Sequence, residues 1–289
     1  MIPPIASRFV GGESAPEAIE RGRALADRGV GTILNLLGEH YNERAPADED
    51  AETYLELIED VAASDARACI SVKPSQIGLD VGADEGERPT ERGREVFEEN
   101  LGRIVEAGDN HDVFVWIDME DHPTTDATLD AFERFTTGYD GGVGVCVQAN
   151  LRRTREDLER LADLPGKVRL VKGAYDEPAD IAIQEKAEVD QRYRELLEYA
   201  FEHFESGVAV GSHDPEMIDL AKDLHAEYGT DFEFQMLMGV REDAQFDLAG
   251  EYEVWQYVPY GGKWLSYFYR RVMERKENLV FALRAILGR

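Results

Sequence analysis

Residues 254–274 read VWQYVPYGGKWLSYFYRRVME: a short apolar strand, a Pro/Gly turn and the opening turns of a helix that runs on through NLVFALRAIL. On that helix Tyr267, Arg270, Arg271 and Glu274 stand at i, i+3, i+4 and i+7, which a 3.6-residue period gathers largely on one face. Taken alone such a stripe is most often a solvated ion-pair surface, and surface pairs are weak. Here it follows a strand and a Gly-rich turn, where a barrel or a doubly wound sheet presents its ligand site. A planar guanidinium fork suits a carboxylate and a nearby glutamate suits an ammonium, so the face fits the head group of an amino acid.

Working back from this stretch, the same strand-then-helix unit recurs. After a helix over about 16–28, the apolar runs are GTILNLLGE, ACISVKP, DVFVWIDMED, GVGVCVQAN, VRLVKGAY, GVAVGSHD and FEFQMLMGV, followed by VWQYVPY, with helical patterns between them. The helix after VRLVKGAY is expected to run from about Ile181 to Phe204. Continuous apolar runs are strands buried on both faces, and βα alternation implies parallel pairing through right-handed crossovers. Eight such units close most simply into a (β/α)8 barrel, expected to fill residues 1–289 as one domain with a short N-terminal helical extension. Periodicity leaves a doubly wound sheet open. The barrel is favoured because polar residues stand at the carboxyl end of almost every strand, whereas a doubly wound sheet gathers them at one switch point.

Those strand ends carry Lys73, Asp118, Gln148, Arg169, Lys172 and His213. Each has a plain alternative as a solvated strand end, a helix cap or a satisfied loop residue. Together on successive strands they are expected to converge on one mouth with the 257–274 face. A barrel lysine can also form a Schiff base, so Lys73 or Lys172 keeps lyase chemistry in view.

The formal net charge of −29, with a pI near 4.5, excludes nucleic acid as a partner, because phosphate binding needs a basic surface. The acids are spread along the chain, as on a surface tuned to high salt, and a salt-rich cytoplasm is the expected setting. Cys69 and Cys146 lie inside apolar runs without CxxC spacing and read as buried free thiols in a reducing compartment. No stretch reaches about 18 uninterrupted apolar residues, so a soluble protein is expected, with peripheral membrane contact left open. The six histidines lack HxH or HExxH spacing, so no metal is expected, and neither a P-loop nor a G-x-S-x-G elbow is present.

The ordered blocks SVKPSQIGL, IDMED, VQANLRRT, RLVKGAY, GSHD, FEFQML, YVPYG and YFYRRVME resemble the flavin-dependent proline dehydrogenase family, over essentially the whole chain from GTILNLLGE onward. The resemblance implies a barrel that holds FAD at its strand ends and oxidises L-proline to Δ1-pyrroline-5-carboxylate, the first step of proline catabolism to glutamate, with electrons passing to a quinone. It implies that Arg270 and Arg271 clamp the carboxylate and that Glu274, Tyr267, Tyr257 and Leu237 complete the pocket. Lys73 and Asp118 would then lie beside the substrate, with Tyr175 closing against it.

By the same resemblance Gln148, Arg169, Lys172, Gly173, Ala174, Ser212, His213 and Gln235 border the flavin, with Arg169 near N5. Many family members have an aromatic residue after KGAY; Asp176 stands here instead, so adenine stacking at that point is not expected. No second catalytic domain is seen, and a separate pyrroline-5-carboxylate dehydrogenase is the expected partner. The competing readings are a flavoenzyme for hydroxyproline or another secondary amino acid, a lysine-dependent barrel lyase, and a non-catalytic binding barrel.

Overall fold

In a computed structural model of the chain, described over residues 2–3, 6–83, 86–139, 142–265 and 267, the apolar runs form one closed barrel of eight parallel strands in chain order. The strands are β1 (Val30–Leu36), β2 (Ala68–Val72), β3 (Val115–Ile117), β4 (Val143–Gln148), β5 (Lys167–Val171), β6 (Val208–Gly211), β7 (Phe232–Leu237) and β8 (Val254–Tyr260). A helix α1 (Ala15–Ala26) precedes β1, and α2 (Arg44–Ala62), α3 (Glu91–His111), α4 (Thr125–Gly138), α5 (Thr154–Leu161), α6 (Lys186–His203), α7 (Pro215–Tyr228) and α8 (Glu242–Leu248) each follow a strand. The ring closes where β1 pairs with β8 in register from Val30↔Val254 to Leu36↔Tyr260. The doubly wound alternative is thereby excluded.

Side chains alternate across each strand, so every strand has an outward and an inward row. The outward row, including Leu34, Ile70, Val115, Val145, Leu170, Val210, Phe234 and Val258, packs against helix residues such as Tyr54, Phe97, Phe132 and Leu197 in one continuous apolar mantle. The inward row is different. Ile33, Cys69, Trp116 and Ala209 form a separate small cluster, flanked by Phe114, Trp255 and Tyr257. Its bulk is aromatic, and the neighbouring strand yields space: a Cβ on Gly144, in register with Trp116 on β3, would stand 2.5 Å from the Trp116 ring. Both cysteines are free and buried.

Local signals fix the helix starts. Thr90 caps α3, its hydroxyl accepting from the Gly93 N–H at 2.9 Å, and Asp214 caps α7 from in front of Pro215. One boundary departs from the expectation. The helix expected from Ile181 begins only at Lys186, because Ile181–Ile183 instead pair with the β4–α5 loop through the Arg152 N–H to Ile181 and the Ile183 N–H to Asn150. This short ribbon fixes the loop that carries Tyr175. β3 is also shorter than the run DVFVWIDMED, since Asp118–Asp121 leave the ladder to form the mouth.

Candidate active site at the barrel mouth

Asp118 is the hub. Just past β3 and largely buried, its carboxylate accepts from the Ser71 hydroxyl and the Tyr257 phenol, each at 2.6 Å, pairs with the Arg169 guanidinium, and lies 3.4 Å from Lys73 Nζ. Four strands therefore deliver one cluster with two cations on one carboxylate. Burial on its own raises the Asp118 pKa, but Lys73, Arg169, Ser71 and Tyr257 outweigh it and hold the carboxyl below its ordinary value. Burial likewise pulls Lys73 down, yet Asp118, Glu120 and Glu39 carry it above the usual lysine value. Burial and then Asp118 push the Tyr257 phenol well up, so it remains a donor. Arg169 is 5 % exposed, with its guanidinium carbon 5.0 Å from the centre of the Trp116 ring and 5.8 Å from that of Tyr257.

The wall above β4, β5 and β6 carries the next group. Gln148 donates to the Glu120 carbonyl at 2.7 Å and accepts from the Ala174 N–H at 3.4 Å, which ties the Tyr175 loop to the hub strand. Gly173 sits at φ +111°, and a Cβ there would fall 2.1 Å from Asn150 Oδ1, so only glycine fits this turn. Glu177 accepts from the His122 backbone and ring at 2.7 and 2.6 Å, a second tether on the same loop. Tyr175 is half-buried between the two tethers, and burial followed by Glu120 and Asp118 raises its phenol.

Lys172 reaches away from the hub to Asp190 on α6 and Asp214 before α7, at 2.5 and 2.7 Å. His213 Nε2 accepts from the Leu237 N–H at 3.1 Å, joining the ends of β6 and β7, and the Ser212 hydroxyl accepts from the Asp214 N–H at 3.2 Å. Leu237 is in register with Tyr257 on β8. Tyr267 lies in the first helical turn after β8, half-exposed; Arg270, Arg271 and Glu274 lie outside the described residues. The hub thus unites Lys73, Asp118, Arg169 and Tyr257, with the Gln235 amide oxygen accepting from the Arg169 guanidinium at 2.9 Å.

Four polar residues join this assembly that the strand-end reading does not single out. Ser71 touches the hub, and Ser75 binds the Glu120 carboxylate through its N–H and hydroxyl, both at 2.7 Å. Burial raises the Glu120 pKa, offset only in part by Lys73 and Ser75. Glu233 and Lys167 sit deeper in the barrel. Their signal is strict alternation, Lys-Val-Arg in β5 and Phe-Glu-Phe-Gln in β7, which puts each pair on one face.

The proline dehydrogenase family matches residues 18–284. The proline dehydrogenase of Deinococcus radiodurans is 39% identical over 291 residues, covering 98% of this chain and 90% of that protein. The chain belongs to the proline dehydrogenase family. Proline dehydrogenase 2 of Bacillus subtilis is 34% identical over 287 residues, covering 97% and 90%. Among solved structures, proline utilization A from Bdellovibrio bacteriovorus, inactivated by N-propargylglycine, superposes with a TM-score of 0.83 at 22% identity, over 93% of this chain. Proline utilization A from Bradyrhizobium japonicum superposes with a TM-score of 0.74, also at 22% identity and over 93% of this chain. The chain spans only 32% and 30% of those two longer proteins, and at that identity the likeness speaks for the barrel alone.

Proposed function

We propose that this member of the proline dehydrogenase family oxidises L-proline to Δ1-pyrroline-5-carboxylate at the barrel mouth, within a single domain over residues 1–289, with FAD as its flavin. Oxidation of proline is the first step of its catabolism. The observation that carries the reading is the hub: a buried carboxylate held ionised between the cations Lys73 and Arg169, with a hydroxyl and a phenol donating to it.

That donor set fits a flavin ring, which needs a fixed positive donor near N5 and polar groups along its edge; Arg169 and Gln148 are the residues that would supply them. Lys172, Gly173, Ala174, Ser212, His213 and Gln235 complete the proposed cofactor wall. FAD, when bound, would supply the acceptor for the hydride from proline C5, with a quinone as the proposed final acceptor of the electrons. The chain's own work is positioning and charge. Asp118, kept below the ordinary carboxylate range, is a poor base and a good counter-ion, so it balances the cations around the substrate and does not take the amine proton.

Lys73 stays charged and faces the substrate's acidic end, and Tyr257 orients Asp118 and limits the ring edge. Arg270, Arg271, Glu274, Tyr267 and Leu237 form the proposed proline clamp, with Tyr175 closing over it. Burying a zwitterion requires both of its charges to be matched, which this set provides. The lysine-lyase alternative loses ground on the same observations. A Schiff-base lysine must be neutral, whereas Lys73 is raised and Lys172 is held by two carboxylates.

Among the described residues no helix is long and apolar enough to cross a membrane. We place the enzyme in the cytoplasm, in peripheral contact with a quinone-bearing membrane and beside a separate pyrroline-5-carboxylate dehydrogenase. The acidic surface reads as an adaptation to high salt, so the melting temperature rises with potassium chloride; a salt-independent melt removes that part of the proposal. The deciding experiment is an absorption spectrum of the purified protein, before and after anaerobic L-proline. Flavin bands that bleach are expected. Bands that survive proline but fade with another secondary amine would reassign the substrate, and a protein that cannot be loaded with FAD would overturn the reading.

A further inference from the structure

The floor of the lumen holds buried charge that the chemistry above does not use. Lys167 opens β5 at the amino-terminal end of the barrel, and its Nζ lies 2.6 Å from Glu233 Oε2. Glu233, 4 % exposed, accepts a second bond from Gln235 Nε2 at 2.6 Å. The Gln235 oxygen accepts from Arg169 at 2.9 Å, and the other arm of Arg169 pairs with Asp118. Five side chains from β3, β5 and β7 thus form an unbroken file from the partly exposed floor to the mouth. The intervening strand contributes Ala209, in register with both Arg169 and Glu233, and its small side chain lets β5 and β7 reach each other across it.

The file has a fixed direction. A guanidinium can only donate and an ionised carboxylate can only accept, so the Gln235 amide satisfies both neighbours in one orientation alone. The rotation of Arg169 is thereby set from below by Gln235 and from the side by Asp118. Stability gives no reason for such a lumen: barrel interiors of this type are commonly filled by branched aliphatic side chains, and replacing a buried ion pair by apolar groups is often neutral or stabilising. The arrangement points to orientation instead.

We propose that Glu233, backed by Lys167, is a positioning residue that acts through the wall residue Gln235 to fix Arg169 and set the net positive field it presents at the mouth. The proposal rests on the reading that Arg169 borders the flavin. Removing the Gln235 acceptor frees Arg169 to turn away, which weakens the field. Removing the Glu233 charge leaves Arg169 less neutralised, which strengthens it. Removing the Lys167 charge leaves Glu233 uncompensated, which weakens it again. The clamp that binds proline is untouched in all three.

The test uses the full-length enzyme loaded with FAD, as wild type and as Gln235→Met, Glu233→Gln and Lys167→Met. Three quantities are read: flavin midpoint potential, bleaching rate at saturating proline, and proline KM. Gln235→Met is expected to bleach about tenfold more slowly, with KM within about twofold, and to have a lower potential. Glu233→Gln is expected to have a higher potential, and Lys167→Met, altered at the accessible end where folding is least at risk, a lower one. Opposite signs for Glu233→Gln and Lys167→Met are a signature that lost packing does not produce. Potentials at the wild-type value, or all shifted in one direction, with only the melting temperature reduced, would reduce the file to lumen filling. A wild-type protein that takes up no flavin, or is not bleached by proline, would instead defeat the functional reading itself.

Discussion

The barrel has two interiors, and they are built on opposite principles. Between strands and helices lies a mantle of Leu, Val, Ile and Phe without charge, where each side chain contributes by leaving water. Inside the strand ring lies a narrow lumen of aromatics threaded by Lys167, Glu233, Gln235, Arg169 and Asp118. The mantle tolerates exchange of one apolar group for another of the same volume. The lumen does not, because each of its polar atoms has a neighbour whose sign it must match. Stability is thus concentrated outside the strands and chemistry inside them.

The sharpest way to break that division is Asp118→Asn. It leaves Arg169 and Lys73 buried without their counter-charge, which costs about 3–5 kcal/mol of stability, and it slows proline-dependent bleaching by about 100-fold or more. Urea unfolding and stopped-flow absorbance measure the two; an unchanged rate would remove Asp118 from the site. The mantle counterpart is Phe97→Ala, fully buried between α3 and the sheet. A loss of about 3–5 kcal/mol in stability is expected, with proline turnover by the surviving folded enzyme within about twofold. A large loss of turnover at full folding would show that the two interiors are not separable.

A finer probe is Tyr257→Phe, which keeps the ring over Arg169 and deletes one bond to Asp118. It should cost about 1–3 kcal/mol, read as a turnover loss on the order of tenfold with flavin content retained. Smallest is the acid response. The depressed pKa of Asp118 means that its stabilising contribution is present above about pH 4, the ordinary carboxylate value, and is lost as pH falls through its lower folded value. Glu120, raised by burial, has the opposite sign: its contribution is full below about pH 4 and is lost as pH rises through its higher folded value. Urea midpoints against pH should therefore lose their low-pH limb in Asp118→Asn and their upper limb in Glu120→Gln. Identical profiles for both variants would contradict the assignment of the two acids.

Much of this was legible before any coordinates. VWQYVPY became β8 residue for residue, and the apolar runs placed all eight strands because a strand covered on both faces has no choice but to be apolar outward. Lys73 and Asp118, just past β2 and β3, do meet as expected, while Arg169 reaches them from the middle of β5 and not from its end. Other features were hidden by long-range contacts. Ile181–Ile183 have helical periodicity but are claimed by Asn150 and Arg152, some thirty residues away. Glu233 stands inside the apolar run FEFQMLMGV, and its partner, Lys167, is two strands distant, so nothing local announces it. Lys172 reads as a mouth residue, while its ammonium is held by Asp190 on α6 and by Asp214, the cap in front of α7.

The seam between β1 and β8 has a consequence for how the protein is made. β1 is finished at Leu36, but the strand that completes its outer edge begins only at Val254. At about 5–20 residues per second, synthesis of the intervening chain takes on the order of ten to forty seconds. For that time the nascent ring is open, and the N–H and C=O groups of β1 form an unsatisfied edge of the kind that recruits other strands. The dense acidity of the segments already emerged, such as the Asp48–Asp60 stretch of α2, gives neighbouring nascent chains a mutual repulsion throughout that wait. The charge that surrounds the finished enzyme would then serve first as protection for an unfinished one.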